Sequence, residues 1–291
     1  MINNFGREFN PETDIIKLQI FLAEMRNKVS QAGYFHLGDL LYRINLSSNN
    51  LDILKDIRIW ENRERVNGFV LFLPTENNPE FQLRPELYKS NILNEMISWT
   101  IERAKQLNLG KIEVSCLDID YLKKEFLIEN GFKQFEDPFV CMERNLDSLP
   151  PCFLPKDYTF ISYNDRPDLP GIYERTDTIE EYLKMCLLDK YKDDLGLRVC
   201  YRNKEIVAGC ICWYDDIDNC GLFEPVGTIE KHQKKGLAFA VMAKTLENLK
   251  KYGVDKVYIH TSEKNLPAIK LYEKLGFRIT NIDNGFELEI K

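Results

Sequence analysis

The amino-acid sequence predicts an α/β protein, with mixed α+β sheets and helices on their faces, in which one fold occurs twice in tandem. Three observations point there. The 291 residues are enough for two domains of ordinary size, each with its own core. Three prolines in Leu149-Pro-Pro-Cys-Phe-Leu-Pro155 remove backbone donors and favour extended chain, which marks a linker. On either side of it the same order recurs: helical periodicity, a short strand, a second helix, then Gly-Phe. The strand spans residues 111–116 with Gly131-Phe132 behind it in the first copy, and residues 256–261 with Gly276-Phe277 in the second. Subtracting 111 from 256 and 131 from 276 gives 145 both times, and a spacing held at two landmarks indicates internal duplication. The expected division is 1–148, a linker at 149–155, and 156–291.

Each element has its own pattern. Ile15, Leu18, Leu22, Met25 and Val29 alternate spacings of three and four, with Gly33 beyond, so the first helix is amphipathic and core-forming. Residues 58–61 and 66–73 are strands of the first copy. Leu93, Met96, Ile97, Thr100, Ile101, Ala104 and Leu107 recur at helical spacing until Asn108-Leu-Gly110. In the second copy, residues 197–201 and 206–214 flank Arg202-Asn-Lys-Glu205 as a hairpin, and 221–227 form a further strand. Leu237, Ala238, Val241, Met242, Leu246 and Leu249 then give a helical stripe ended by Gly253. Hairpin strands followed by strand–helix alternation imply a mixed sheet.

Composition narrows the classes of function. With 44% hydrophobic and 29% charged residues the chain is globular rather than disordered. The start, MINNFGREFN, has no apolar leader core, and the longest apolar runs are too short for a bilayer, so a cytoplasmic, non-membrane protein is expected. The eight cysteines are scattered, several in strand-like runs, and are read as reduced; Cys210 and Cys212 are too close for the usual zinc-ligand spacing, and no metal is expected. A net charge of −7 argues against a nucleic-acid partner and favours cationic or amine substrates.

Between the strand at 221–227 and the next helix lies Thr228-Ile-Glu-Lys-His-Gln-Lys-Lys-Gly-Leu-Ala238. A loop entering a helix through Gly236 can aim several unpaired amides at one point, and the helix dipole adds positive potential, which suits a diphosphate. Lys234 and Lys235 in the loop are read as phosphate contacts; Lys244, Lys250 and Lys251 are read as a solvated helix face.

Gln233-Lys-Lys-Gly-Leu-Ala238 resembles the Q/R-x-x-G-x-G/A pyrophosphate loop of GNAT acetyltransferases. Asn265-Leu-Pro-Ala-Ile-Lys-Leu-Tyr-Glu-Lys-Leu-Gly-Phe277 resembles their N-x-x-A-x-x-x-Y-x-x-x-G-F segment, and Phe223-Glu-Pro-Val-Gly-Thr228 their central strand. Gln233 stands where Arg is frequent, and Ala238 replaces the last glycine. The resemblance covers residues 153–291 and implies two tandem acyl-CoA N-acyltransferase (GNAT) folds, with acetyl-CoA as co-substrate. By position it implies that backbone groups of Gln233, Lys234, Lys235, Gly236, Leu237 and Ala238 hold the coenzyme A diphosphate. It further implies that Val226 and Thr228 hydrogen-bond the pantetheine arm, that Asn265 lies near it, and that Tyr272 stands beside the thioester sulfur. A phenol of pKa about 10 can protonate a thiolate whose thiol has pKa about 8.5; alternatively Tyr272 completes the stripe Ala268, Leu271, Tyr272, Leu275. Glu224 is the candidate proton acceptor for the amine, or else a strand-edge carboxylate paired with a lysine. No Cys-His pairing in the sequence argues for an acyl-enzyme, so direct attack is expected.

The 145-residue spacing carries Gly236 onto Asn91, Tyr272 onto Leu127, Asn265 onto Asp120 and Glu224 onto Pro79. The first half is therefore read as a degenerate GNAT-like domain without the coenzyme A loop, an arrangement similar to tandem GNAT enzymes such as mycothiol synthase. Within it His36 and Asp39 could reach a polar ligand, or close a local turn; His232 and His260 are read as loop and strand residues. The expected activity is N-acetylation of a small-molecule or peptide amine by a monomer or homodimer. The alternatives are a non-catalytic acyl-CoA sensor and a scaffold that binds no cofactor.

Overall fold

The computed structural model describes residues 6–28, 35–46, 53–63, 65–73, 77–169 and 190–291. The first half runs β1 (Arg7–Glu8), α1 (Pro11–Lys28), α2 (Leu37–Leu46), α3 (Ile53–Asp56), β2 (Ile57–Glu61), β3 (Val66–Leu73) and β4 (Asn78–Leu83). It continues through α4 (Ile92–Gln106), β5 (Lys111–Leu117), α5 (Tyr121–Glu129) and β6 (Lys133–Asn145). Residues 149–155 form neither helix nor strand. The second half runs β7 (Tyr158–Ile161), β8 (Arg198–Tyr201), β9 (Glu205–Asp215), β10 (Cys220–Thr228), α6 (Leu237–Lys250), β11 (Lys256–Ser262), α7 (Leu266–Lys274) and β12 (Arg278–Glu289). Val29, Gly33 and Tyr34 lie outside the described residues. The predicted helix stops are real: Asn108 and Gly253 take the left-handed conformation, with φ of 55° and 77°.

The fold is mixed α/β, as predicted, but the halves do not keep their strands to themselves. One sheet has the order β1-β2-β3-β4, and the other has the order β5-β12-β6-β11-β10-β9-β8-β7. The last strand of each half thus lies in the other half's territory. β12 pairs antiparallel with β5, Phe286 opposite Val114, while β6 pairs antiparallel with β11, Met142 opposite Ile259. β12 and β6 pair with each other at the centre, and Gly285 there faces Phe135, whose ring would lie 2.2 Å from an added Cβ.

The cores follow the exchange. Phe286, fully buried, packs among Val70, Phe72, Met96 and Ile97 of the first half. Val140 and Met142 pack among Val207, Val241 and Leu246 of the second. A third core joins α1 and α2 to Ile57, Ile59, Phe69 and Leu71, and reaches Ile211 and Trp213 on β9. Arg26 of α1 is buried at this junction, ion-paired to Asp215, with its Nε 2.6 Å from Asp218 and a further bond of 2.9 Å to the Phe35 carbonyl. A buried guanidinium is tolerable only with such a full set of partners. The seven described cysteines form no disulfide, and no described helix is long and apolar enough to cross a membrane.

Candidate active site

A gap opens where two neighbouring strands part. β10 pairs parallel with β11 only from Cys220 opposite Lys256 to Leu222 opposite Tyr258. Beyond that point β10 stays on β9, Val226 opposite Cys210, and β11 stays on β6. The register of β10 shifts between Phe223 and Val226, a bulge at Glu224-Pro225, where proline has no N–H to give a ladder. The Glu224 carbonyl instead accepts from the Trp213 indole at 2.8 Å. Ile229 N–H donates to Val207 at 2.9 Å, so by strand alternation the main-chain groups of Val226 and Thr228 face the other edge, into the gap.

The chain then turns through a short 3-10 segment, Glu230–His232, into α6. Lys234 and Gly236 take left-handed φ of 59° and 78°, and nothing lies within 4 Å of a Cβ built on Gly236. Among the described residues the amides of 234–239 donate to no acceptor; the first helical amide with one is Ala240, bonded to the Gly236 carbonyl at 2.9 Å. This is the anion-binding geometry of a helix start. Gln233 corrects the expectation in part. Its amide donates to the Glu230 carbonyl at 3.1 Å and its side chain to the Thr228 carbonyl at 3.3 Å, so the free donors begin at Lys234. The Lys235 ammonium folds back on the Lys231 carbonyl at 3.1 Å. Lys244 and Lys251 bond Glu247 and Asn248, each at 2.8 Å, as a solvated face would.

Two cavities meet at the gap. A groove of about 740 Å3 runs along the turn, past Thr228, Lys234, Gly236 and Ala238. A cavity of about 390 Å3 lies behind the splayed strands, lined by Glu224 and His260 among others. Val226, Asn265 and Tyr272 line both. Asn265 caps α7, its Oδ1 accepting from Ala268 N–H at 3.3 Å and its Nδ2 donating to Thr261 at 3.2 Å, and so fixes the helix that carries Tyr272. Tyr272 is 7% exposed, edge-on to Phe277 at 6.2 Å, and burial pushes its phenol up to about 12.

The inner cavity has walls from both halves, and sequence reasoning missed most of them. Arg43 of α2, Asn78 of β4, Ser115 of β5 and Asp283 of β12 meet there because of the strand exchange, which no local pattern announces. Burial and the nearby Glu80 raise Asp283 to about 7. His260, expected to be only a strand residue, faces this cavity; burial lowers its pKa and keeps the ring neutral. Asp39 also lines it, while accepting from the His36 amide at 2.7 Å; His36 itself is buried and accepts from Gly38 N–H at 2.8 Å. His36 approaches Asp215 and Cys220 within 4.8 Å, but the Arg26 guanidinium already holds Asp215.

The exchange also makes a pairing that the sequence does not reveal: Cys141 lies directly opposite His260, and both line the cavity. Burial raises the Cys141 thiol well above its ordinary range, helped by the Asp283 and Asp39 carboxylates. It is a thiol and not a thiolate, so it is a poor nucleophile.

In the first half the equivalent groove is narrowed by its own side chains to about 80 Å3. Asn91, in the place of Gly236, has φ of −70°. Lys123, in the place of Ala268, sends its ammonium to the carbonyl of Phe81, the counterpart of Val226, at 3.1 Å. Tyr88, in the place of Gln233, donates to Asp120, the counterpart of Asn265, at 2.7 Å. The duplication survives in the cap: Asp120 accepts from Lys123 N–H at 3.1 Å, as Asn265 does from Ala268.

Residues 159–277 match the acetyltransferase (GNAT) family. An N-alpha-acetyltransferase of Saccharolobus solfataricus is 29% identical over 62 residues, which are 21% of this chain and 37% of that protein. The uncharacterized N-acetyltransferase YvbK of Bacillus subtilis is 39% identical over 59 residues, 20% of this chain and 38% of its own. The chain thus spans under two fifths of the curated relatives it matches. Among solved structures, a tandem GNAT protein from the clavulanic acid biosynthesis pathway superposes with a TM-score of 0.70 at 12% identity, covering 99% of this chain and 98% of that one. A GCN5-related N-acetyltransferase from Sphaerobacter thermophilus gives 0.64 at 15% identity, covering 99% and 96%.

Proposed function

We propose, from the match of residues 159–277 to the acetyltransferase (GNAT) family and the superposition of the whole chain on a tandem GNAT protein, that the protein transfers an acetyl group from acetyl-CoA to a primary amine, at one active site in residues 156–291. The observation that carries this reading is the run of unbonded amides at 234–239, opened by Gly236, beside a groove that meets a second cavity at Tyr272. Residues 1–148 act as a degenerate copy that walls the acceptor cavity. Lys123 and Tyr88 narrow the equivalent groove to a chamber of about 80 Å3.

The amides of 234–239 and the Lys234 ammonium hold the donor's diphosphate. The main chain of Val226 and Thr228 aligns the pantetheine arm as an added strand would. This lays the thioester at Tyr272, between groove and cavity. An acceptor amine arrives as an ammonium of pKa about 10.4 and must lose a proton, which Glu224 takes directly or through water. The nitrogen lone pair then forms the C–N bond, the C–S bond breaks, and the electron pair leaves on sulfur. Tyr272, held near 12, keeps its proton at neutral pH and meets the departing sulfur as a hydrogen-bond donor. Complete transfer from such a phenol to a thiolate is uphill by roughly 5 kcal/mol. The proton shed by nitrogen as it becomes an amide therefore neutralises the thiolate.

Thermal denaturation with and without acetyl-CoA, followed by thiol release against a panel of amines, tests the reading. Stabilisation by the donor and amine-dependent release are expected. Stabilisation without release on any amine would indicate a sensor, and no stabilisation at all a scaffold.

A further inference from the structure

The inner cavity gathers polar atoms for which the protein supplies no partner. Ten buried side-chain nitrogen or oxygen atoms among the described residues make no hydrogen bond, and four of them line this one cavity: Arg43 Nη1, Asn78 Oδ1, His260 Nε2 and Asp283 Oδ1. Buried polar groups in native proteins are nearly always bonded, because leaving one dry is costly. Four around a single space leave it to be filled by water or by a polar ligand that matches them.

The four differ in what they require. Arg43 Nη1 has a proton to give and the Asn78 oxygen accepts one, whereas Asp283, raised to about 7 and bonded to Ser115, can do either. A plain amine would leave Arg43 Nη1 without an acceptor, and a plain anion would leave the Asn78 oxygen without a donor. Their order along the cavity is also defined. Tyr272 and Glu224 line the cavity but not the small chamber of about 80 Å3 beyond it, whereas Arg43, Asp39 and Asp283 line both. Arg43 therefore stands at the end away from the thioester position, with its guanidinium 5.3 Å above the Phe35 ring, which steadies its plane.

Resting on the acetyltransferase reading, we propose that the acceptor is a free polar amino acid. Its carboxylate pairs with Arg43, its reacting amine points to Tyr272 and Glu224, and a second amine or a hydroxyl satisfies Asp283 and Asn78. Protein lysines and peptide N-termini lack the free carboxylate at this distance and are excluded as preferred acceptors.

The test is thiol release at saturating acetyl-CoA with lysine, ornithine, serine and threonine, each beside its decarboxylated counterpart, and with a short peptide. At least one free amino acid should exceed its decarboxylated partner by about 10- to 100-fold in kcat/KM, the range set by one charge-assisted contact. Arg43→Gln should collapse that ratio to near unity, and Arg43→Lys should restore part of it. Thermal stabilisation of each variant by acetyl-CoA reports that fold and donor groove are intact. Equal or better turnover of the decarboxylated amines or the peptide, or an unchanged ratio in Arg43→Gln, overturns the amino-acid acceptor while leaving the acetyltransferase standing. Absence of both donor stabilisation and release overturns the two together.

Discussion

The Lys123 ammonium donates to the Phe81 carbonyl at 3.1 Å, and in doing so occupies in the first half the edge that the second half leaves open at Val226. Duplicated folds can lose a binding site simply by satisfying its main chain from within. Titration calorimetry with acetyl-CoA should therefore give one site per chain, and Gly236→Glu should give none. Gly236→Ala should do less: its Cβ meets nothing, so the cost is the left-handed backbone alone, about 1 kcal/mol in urea denaturation.

Tyr272→Phe removes one hydroxyl from a packed ring. Its contacts with Phe277 and the helix stripe remain, so donor affinity should change less than threefold while kcat falls about 10- to 100-fold. An equal loss in both would mean that the ring, and not the hydroxyl, is what matters.

Cys141→Ala tests the route. With the thiol held un-ionised by burial, direct attack predicts kcat within a few-fold of the wild type and no acetylated protein by mass spectrometry after donor alone. A large loss of kcat, or an acetyl adduct that Cys141→Ala abolishes, would establish a two-step mechanism through the pair formed with His260.

Asp283 gives a pH-dependent signal in stability. Its folded pKa of about 7 lies above the unfolded value near 3.9, so the folded state holds a proton that the unfolded state has lost. That stabilisation is complete below about pH 4 and disappears as pH rises through 7. The melting temperature of Asp283→Asn minus that of wild type should therefore climb between pH 5 and 7.5 and level off above about 8. A flat difference across this window would place the group in water.

Much of this was legible in the sequence, and the reason for the remainder is physical. Gly236 announces itself because only a residue tolerant of φ near 78° starts that helix cleanly, and Tyr272 because its spacing from Asn265 is fixed by one capped helix. Arg43, Asn78 and Asp283 carry no such local mark. They converge because β6 and β12 trade places, and a strand's alternation specifies which face is buried, not which strand lies beside it. The sequence places Gln233 beside the amide donors because a motif gives order along the chain, whereas the short turn at Glu230–His232 decides which N–H groups are already engaged.

The exchange of β6 and β12 also sets a timetable. A ribosome delivers the chain from its amino end, and the core around Phe72 and Met96 lacks Phe286 until β12 emerges. Through the synthesis of most of the second half, the edge of β5 that pairs with β12 stays uncovered. A stop codon just before residue 278 would therefore disable the older-made half as surely as the newer one.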